Sequence, residues 1–182
     1  MEFVPTRLPD VIVIRPRVFE DPRGFFMDTW HRKLFEQNGP GVDFVQDSHS
    51  GSAAGTIRGL HYQIEQAQGK LLRVVKGEAF DVAVDIRRSS PDFGQWTGEV
   101  LSAENRKMLW IPPGFAHGFL VLSNTAEFEY KLTNYYAPEH ERTLLWDDPE
   151  IGIDWPLADG EEPILSPKDQ AGLPLKDAQV YG

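Results

Sequence analysis

Residues 55–77 read GTIRGLHYQIEQAQGKLLRVVKG, and the pattern of this segment decides the fold that the sequence predicts. Lys70, Leu72 and Val74 fall on one face of an extended chain, because successive side chains of a β-strand point in opposite directions. The segment is therefore predicted to form two β-strands joined by a polar turn. Antiparallel pairing of these strands would place His61 and Lys70, nine positions apart, on one concave face.

The same period of two recurs along the chain. Phe80, Val82, Val84 and Ile86 share one face of a predicted strand. Further short strands are predicted at residues 11–14, 44–47, 108–111, 115–121 and 128–132, with Gly and Pro turns between them. Strands at intervals of roughly 8–12 residues are typical of a β-sandwich or small barrel. We expect a mainly β, cupin-like jelly roll (a double-stranded β-helix) with a few short helices, in one domain over residues 1–182.

Helical signals are few. A short helix is predicted around residues 30–38, capped by Asp28 or Thr29 and ended by Asn38 and Gly39. Residues 48–55, SHSGSAAG, are predicted to form a loop. The C-terminal third is rich in Pro, Asp and Trp, and we expect it to wrap the sheets with short helical turns.

The composition limits the classes of function. A formal net charge of −10 over 182 residues argues against nucleic acid or an anionic membrane as a partner. It leaves room for a small phosphorylated ligand beside a few arginines. The chain has no cysteine, which excludes disulfides and thiolate chemistry. It also has no apolar run of the roughly 18 residues that a membrane helix needs, so we expect a soluble, cytoplasmic protein.

Four basic side chains, Arg58, His61, Lys70 and Arg73, are concentrated in residues 55–77. An imidazole has an ordinary pKa of about 6.5, which suits a general base near neutral pH. A nearby cation suits an anionic substrate with an acidic C–H bond. The alternative to a catalytic role is that His61 is an ordinary core or surface residue and that Lys70 is a strand-end lysine in solvent. These residues alone leave both interpretations open.

His117 and Tyr130 are each flanked by aromatic residues on their own face. A tyrosine in this setting is most often a core residue, but a phenol with an ordinary pKa of about 10 can also deliver a proton to an enolate. Arg23, Arg58 and Arg73 are candidate phosphate ligands, because a guanidinium matches phosphate oxygens in bidentate geometry. Each arginine is equally compatible with an ordinary surface position.

A metal site is not expected. His49, His61, His117 and Glu129 lack the short ligand spacing that metal-binding jelly rolls use. The glycine-rich patterns of dinucleotide and triphosphate sites are also absent from the sequence. The sequence therefore predicts no metal and no nucleotide cradle of these two kinds.

Eight motifs occur in order from about residue 21 to about residue 169. They are DPRGFF, FVQDSHS, IRGLHYQ, AQGKLLRVVKGEAFDVAVDIRR, SPDFG, LWIPPGFAHGF, FEYKLTNYYAPEHE and LSPKDQ. In these motifs the chain resembles the dTDP-4-dehydrorhamnose 3,5-epimerases of nucleotide-sugar biosynthesis. The resemblance implies a cupin-like homodimer, without metal or organic cofactor, that acts on dTDP-4-dehydro-6-deoxy-D-glucose.

The resemblance also implies roles for particular residues. His61 is the general base, Tyr130 is the proton donor on the other face of the sugar, and Asp169 orients the histidine. Lys70 lies beside the carbonyl oxygen of the sugar, whereas Arg73 has no role in the family and is interpreted as structural. The implied substrate-binding residues are Arg23, Gln46, Arg58, His117, Glu141 and Lys168. Arg23 and its aromatic neighbours are expected to reach across the dimer into the partner's pocket.

Two positions depart from the pattern of this family. Asp28 stands where the family usually has Glu, and Ser48 stands where it usually has Asn. Asp28 is shorter by one methylene group, and Ser48 lacks the reach of an amide. Both are expected on the substrate-binding side, so they bear on nucleotide recognition more than on the chemistry.

Three other functions remain open. An epimerase that acts only at C3 or only at C5 would carry the same residues. A non-catalytic nucleotide-sugar-binding cupin is expected to lack His61, Tyr130 or Lys70, and all three are present. A metal-dependent cupin is disfavoured by the missing ligand spacing.

Overall fold

The computed structural model describes residues 1–158 and 160–182. The strands are β1 (Glu2–Pro5), β2 (Ile12–Arg15), β3 (Val18–Asp21), β4 (Gly24–Met27), β5 (Gln46–Ala53), β6 (Ile57–Gln63), β7 (Lys70–Lys76), β8 (Glu78–Asp85), β9 (Trp96–Ser102), β10 (Met108–Ile111), β11 (Phe115–Val121), β12 (Thr125–Leu132) and β13 (Glu141–Thr143). The helical segments are α1 (Arg32–Asn38), α2 (Pro167–Gln170) and 3₁₀ turns at Pro138–His140 and Leu175–Asp177. No helix in these described residues is long and apolar enough to cross a membrane.

Two antiparallel sheets carry most of the strands. The six-stranded sheet has the order β1-β2-β10-β7-β12-β5, and the five-stranded sheet has the order β13-β6-β11-β8-β9. β3 and β4 form a separate hairpin. From β5 to β12 the chain passes repeatedly from one sheet to the other, which is the connectivity of a jelly roll. The predicted mainly β, cupin-like jelly roll with a few short helices is confirmed.

The alternation in β7 fills two apolar cores at once. Leu72 and Val74 point between the sheets, where they pack in one cluster with Phe119 and Phe128. Leu71, on the opposite face, belongs to a second cluster that includes a residue of α1. The period of two therefore belongs to a strand that is covered on both faces.

The strand β8 has the same two-sided burial. On one face, Val82 and its apolar neighbours pack against Trp155 and Leu175 of the C-terminal segment. The C-terminal third thus covers the outer face of the five-stranded sheet, as the sequence predicted. The other face of β8 carries Asp81 and Asp85, both of which are fully buried.

The predicted pairing of residues 57–63 with residues 70–76 is wrong. β6 lies between β13 and β11 in one sheet, and β7 lies between β10 and β12 in the other. The polar turn between them crosses from sheet to sheet instead of closing a hairpin. His61 and Lys70 nevertheless meet, because both strands face the space between the sheets, and Lys70 Nζ donates to the carbonyl oxygen of His61 at 3.3 Å.

Two local predictions also need correction. Residues 48–53, predicted as part of a loop, belong to β5, which begins at Gln46 rather than Phe44 and pairs along its whole length with β12. α1 has His31 at its N-cap, where the backbone is still extended (φ −146°), and no side chain caps the helix. Asp28 and Thr29 lie before that position and do not cap it. The helix does end at Asn38, followed by Gly39, as predicted.

Candidate active site

A cavity of about 230 Å³ opens between the two sheets. Its lining consists of Ser50, Arg58, His61, Gln68, Lys70, His117, Phe119, Tyr130, Leu132 and Glu141. Six residues that the sequence analysis proposed for the site are in this set, although they lie on five different strands. The fold therefore brings together side chains that are far apart in the sequence.

His61 is hydrogen-bonded to a carboxylate from the C-terminal segment. Its Nε2 lies 2.5 Å from Oδ1 of Asp169, whose Oδ2 accepts from the Ser166 hydroxyl at 2.7 Å. Burial opposes the ionisation of Asp169, but the hydrogen bonds from His61 and Ser166 outweigh it, and the pKa of this carboxyl lies below its usual value. Because an ionised carboxylate only accepts hydrogen bonds, Nε2 of His61 carries a proton and Nδ1 holds the lone pair.

Lys70 is the first residue of β7, and its ammonium group lies against the backbone of β6. Burial lowers the pKa of Lys70 to about 8, although the negative charges of Asp81 and Glu141 act in the opposite direction. A cation with little access to water interacts strongly with any charge that develops beside it. Lys70 is therefore suited to stabilise an oxyanion in the cavity.

Tyr130 reaches the cavity from β12, in the sheet opposite to that of His61. Its hydroxyl lies 3.1 Å from Oγ of Ser50. The ring stacks on Phe128 at a centroid distance of 5.8 Å and meets His117 edge-on at 6.5 Å. Burial raises the pKa of Tyr130 well above its ordinary value. The phenol therefore keeps its proton at neutral pH and can enter a reaction as a proton donor.

His117 is buried on β11 and is bonded to a carboxylate that the sequence analysis did not single out. Its Nε2 lies 3.0 and 3.1 Å from the two carboxyl oxygens of Asp81. Burial lowers the pKa of His117 and raises the pKa of Asp81. A signal for Asp81 was present in the sequence, because a carboxylate alternates there with the apolar residues of a strongly β-prone strand. Ser50 was also missed, and its segment had been interpreted as a loop.

Arg58 lies on β6 at the lining of the cavity. Its Nε donates to Oγ of Ser52 at 2.9 Å, and its Nη2 donates to the carbonyl oxygen of Gly51 at 3.2 Å. A guanidinium has five N–H donors. These contacts orient the Arg58 side chain and leave other donors for an anionic ligand.

A close approach of β6 and β11 places the two histidines of the cavity side by side. Gly59 has a φ of +131°, and a Cβ at this position would lie 2.5 Å from Cα of Gly118. The register between the strands shifts next to this point, where His117 lies opposite His61. Only a residue without a side chain fits between these backbones.

Three of the remaining candidates, Lys168, Gln46 and Ser48, do not line the cavity. Lys168 Nζ is 2.9 Å from Oε1 of Glu141, and of these two only Glu141 lines the cavity. Gln46 donates from Nε2 to Oγ of Ser48 at 3.2 Å. Gln46 and Ser48 share the face of β5 with Ser50, but neither lines the cavity itself.

Arg23 and Asp28 lie away from the cavity of their own chain. Arg23 is in the turn between β3 and β4, where it pairs with Asp21 at 2.5 Å and its side chain is 89% exposed. Asp28 follows β4 and is exposed. Arg73 also lies outside the cavity and pairs with Glu129 at 2.7 Å, which agrees with a structural role.

Within residues 1–158 and 160–182, no group of three or more His, Asp or Glu side chains is arranged to hold a metal ion. His61 and His117 are instead each bonded to one carboxylate.

The family model of dTDP-4-dehydrorhamnose 3,5-epimerase matches residues 5–177. The chain belongs to the dTDP-4-dehydrorhamnose 3,5-epimerase family. It is 60% identical over 175 residues to the dTDP-4-dehydrorhamnose 3,5-epimerase of Pseudomonas aeruginosa, with 96% of each chain covered. The resemblance drawn from the eight motifs is thus confirmed, and the chain is an isomerase of the epimerase class.

Solved structures of related epimerases share the fold. The dTDP-6-deoxy-D-glucose-3,5-epimerase of Legionella pneumophila, in complex with dTDP-4-keto-L-rhamnose, is 50% identical and has a TM-score of 0.94, with 98% of this chain and 94% of that chain covered. A 3'-monoepimerase from Streptomyces bikiniensis, in complex with dTDP-quinovose, is 32% identical and has a TM-score of 0.87, with 94% and 87% covered. The fold of the family thus occurs in double and in single epimerases.

Proposed function

We propose that this chain converts dTDP-4-dehydro-6-deoxy-D-glucose into dTDP-4-dehydro-L-rhamnose by epimerisation at C3 and C5, in dTDP-rhamnose biosynthesis. The observation that carries the proposal is the placement of His61 and Tyr130 on opposite sheets across one cavity. A base and an acid on the two sides of a sugar ring can invert a carbon centre between them. Family membership supports the same reaction.

The first half of the reaction removes a proton. The 4-keto group acidifies the C–H bonds at C3 and C5, and Nδ1 of His61 takes the proton from one of these carbons. The electron pair of that C–H bond forms the enolate, with its negative charge on the former keto oxygen. Asp169 stabilises the imidazolium and holds its orientation. Lys70 stabilises the enolate oxygen, and an oxyanion donor of this kind contributes about 2.7–4 kcal/mol.

The second half returns a proton from the other side. Tyr130 gives its phenolic proton to the enolate carbon, the keto group re-forms, and the centre is inverted. The phenolate then takes a proton from solvent and His61 releases one, so the protons balance. Repetition at the second carbon gives the double epimer. No electrons leave the substrate, and the proposal accordingly includes no cofactor.

The substrate-binding roles are part of the same proposal. We assign binding of the nucleotide sugar to Arg23, Asp28, Gln46, Ser48, Arg58, His117, Glu141 and Lys168. The spare donors of Arg58 support a contact with the diphosphate, because guanidinium groups bind phosphate oxygens well. When Nε2–H of His117 donates a hydrogen bond to Asp81, the lone pair on Nδ1 of His117 is unoccupied. Nδ1 can then accept a hydrogen bond from a sugar hydroxyl.

We further propose that the chain acts as a homodimer in the cytoplasm. The hairpin of β3 and β4 exposes Phe19, Phe25 and Phe26, which are 50%, 57% and 66% accessible. Exposed aromatic residues on one element are typical of a protein–protein contact. Arg23, in the turn of this hairpin, does not line the cavity of its own chain, which supports a contact with a second copy.

The test is incubation of the protein with the keto sugar nucleotide in heavy water. Deuterium at both C3 and C5, with formation of the L-sugar, is the expected result. His61→Ala is expected to abolish exchange and turnover while dTDP binding stays close to normal, because the phosphate contacts are untouched. Exchange is followed by NMR and binding by calorimetry.

The other outcomes of this experiment decide between the alternatives. Deuterium at only C3 or only C5 supports a single epimerase, for which the likeness to a 3'-monoepimerase is the motivating observation. Binding of the nucleotide sugar without any exchange would instead support a non-catalytic binding protein. Near-normal turnover by His61→Ala would remove His61 from the role of base.

A further inference from the structure

The carboxyl group of Asp169 uses its two oxygens in different directions. Oδ1 lies 2.5 Å from Nε2 of His61, and Oδ2 accepts from the Ser166 hydroxyl at 2.7 Å. Asp169 is only 2% exposed, so protein groups rather than bulk water have to satisfy these oxygens. The proposed reaction uses the bond to His61 and gives no role to the bond from Ser166.

A second contact fixes Ser166 relative to Asp169. Ser166 is the N-cap of α2, and its Oγ accepts from the backbone N–H of Asp169 at 3.2 Å. The hydroxyl thus accepts from the backbone and donates to the side chain of the same residue. Because a hydroxyl has a single hydrogen, the contact with the carboxyl commits that hydrogen to Oδ2 of Asp169.

These contacts determine how Asp169 meets His61. A carboxyl group whose two oxygens are held by different partners cannot rotate freely, so Oδ1 stays directed at the imidazole. Burial opposes the ionisation of Asp169, and the hydrogen bonds from His61 and Ser166 outweigh it and lower the pKa of this carboxyl. An ionised and oriented carboxylate holds the proton of His61 on Nε2 and leaves the lone pair on Nδ1.

We infer that Ser166 is a positioning residue which, by donating its hydroxyl hydrogen to Oδ2 of Asp169, directs Oδ1 at His61 and keeps Nδ1 of His61 free to take the substrate proton. The inference rests on the proposed function, in which His61 is the base. Ser166 does not line the cavity, so its effect on the reaction passes through Asp169.

The alternative is that Ser166 serves only to cap α2. This helix also carries Lys168, which pairs with Glu141 at 2.9 Å and is proposed to bind the nucleotide sugar. A general disturbance of α2 would displace Lys168 and weaken the binding of dTDP together with turnover. Loss of the carboxyl contact alone is expected to lower kcat and leave dTDP binding unchanged.

The test is Ser166→Ala, measured by kinetics, calorimetry and NMR. The kcat is expected to fall roughly 3- to 10-fold, because one hydrogen bond to the carboxylate is lost, while calorimetry shows an unchanged affinity for dTDP. Carbon NMR of the ligand-free protein is expected to show the Asp169 carboxyl titrating at higher pH than in the unmodified protein. Nitrogen NMR is expected to show a larger share of the His61 tautomer that has its proton on Nδ1.

Two further substitutions at the same position separate the hydroxyl from the cap. Ser166→Thr keeps a hydroxyl and is expected to restore kcat, the carboxyl midpoint and the tautomer of His61. Ser166→Gly removes the hydroxyl, but glycine is tolerated at an N-cap far better than alanine. It is therefore expected to lower kcat as much as Ser166→Ala does, and it replaces Ser166→Ala in the test if that variant does not fold.

A matched control lies away from the cavity. The Ser90 hydroxyl donates to Oδ2 of Asp85 at 2.6 Å, and Asp85 is fully buried. Neither residue lines the cavity. Ser90→Ala removes the same kind of contact to a buried carboxyl, and it is expected to keep the kcat and the His61 tautomer of the unmodified protein.

An unchanged carboxyl midpoint and an unchanged tautomer in Ser166→Ala would overturn the inference. So would an equal loss of kcat in Ser90→Ala, a parallel loss of dTDP binding, or normal turnover by Ser166→Gly, each of which assigns the effect to general stability or to the cap. The NMR measurements need no substrate. An unmodified protein that exchanges no deuterium would therefore refute the proposed function, whereas unchanged NMR signals would refute the role of Ser166.

Discussion

At the residue scale, the cavity contains two histidine–carboxylate pairs with opposite properties. The His61 side chain is 23% exposed at the cavity, whereas the His117 side chain is 6% exposed. The pKa of Asp169 lies below its usual value and that of Asp81 lies above it. A carboxylate that stays ionised stabilises an imidazolium better, so the structure favours His61 over His117 as the residue that takes and holds a proton.

Ser50 is the hydrogen-bond partner of the proposed acid, and we predict that it positions Tyr130. In Ser50→Ala the phenol loses this contact, and a hydrogen bond contributes about 0.5–1.5 kcal/mol, so kcat is expected to fall by roughly 2- to 12-fold. The ratio of deuterium at C5 to deuterium at C3 is also expected to change, because the direction of the phenol differs. NMR of the product formed in heavy water measures both quantities.

The matched control for this substitution is Ser89→Ala, at an exposed serine away from the cavity. It is expected to keep the rate and the isotope ratio of the unmodified protein. An isotope ratio in Ser50→Ala that equals that of the control would show that Ser50 does not direct the phenol.

At the element scale, periodicity identifies strands but not their partners. The alternation of residues 70–75 and 80–86 correctly predicted β7 and β8. It could not reveal that β6 and β7 belong to different sheets, because the pattern of a strand is the same whichever neighbour it pairs with. β5 was missed along most of its length, since Ser and Gly are poor strand formers and its pairing with β12 overrides that preference.

The close approach of β6 and β11 leads to a prediction about stability. Gly59→Ala introduces a Cβ 2.5 Å from Cα of Gly118, at a φ that L-residues rarely adopt. We expect the free energy of unfolding to fall by about 2–4 kcal/mol and turnover to drop strongly, since His61 is two residues away. Urea unfolding followed by fluorescence measures the first effect, and a turnover assay the second.

Gly41→Ala provides the comparison for this substitution. A Cβ at Gly41 would have its nearest contact at 3.8 Å, an ordinary van der Waals distance. Its urea midpoint is expected to stay close to that of the unmodified protein. Equal midpoints for the two variants would contradict the role assigned to the contact between β6 and β11.

At the scale of the whole molecule, the distribution of charge matters more than its sum. The chain has a formal net charge of −10, yet the cationic side chains of Arg58 and Lys70 line one cavity. Such local concentration lets an acidic protein attract an anionic ligand to a particular place. The resemblance further implies that Arg23 of a second copy completes this site, and that part stays a prediction.

The exposed hairpin provides the test of assembly. Phe26 is 66% accessible, and we predict that Phe26→Ser weakens the homodimer at least about tenfold, because burial of a phenylalanine contributes about 1.5–3 kcal/mol. Sedimentation equilibrium over a range of concentrations measures the dissociation constant. Ile164→Ser, at another exposed apolar residue (57% accessible), is the control and is expected to leave the dimer unchanged. A monomeric unmodified protein would contradict the proposed assembly.

The sequence alone predicted the class of fold, the family and six of the ten residues that line the cavity. Strand periodicity and turn residues are local properties. The family motifs are likewise recognised from residue identities alone, whichever strands pair with each other. It took the tertiary structure to show that His61 and Lys70 approach from different sheets and that buried Asp81 is hydrogen-bonded to His117. The physical reason is that burial, sheet partnership and the charge on a side chain depend on neighbours that are distant in the sequence.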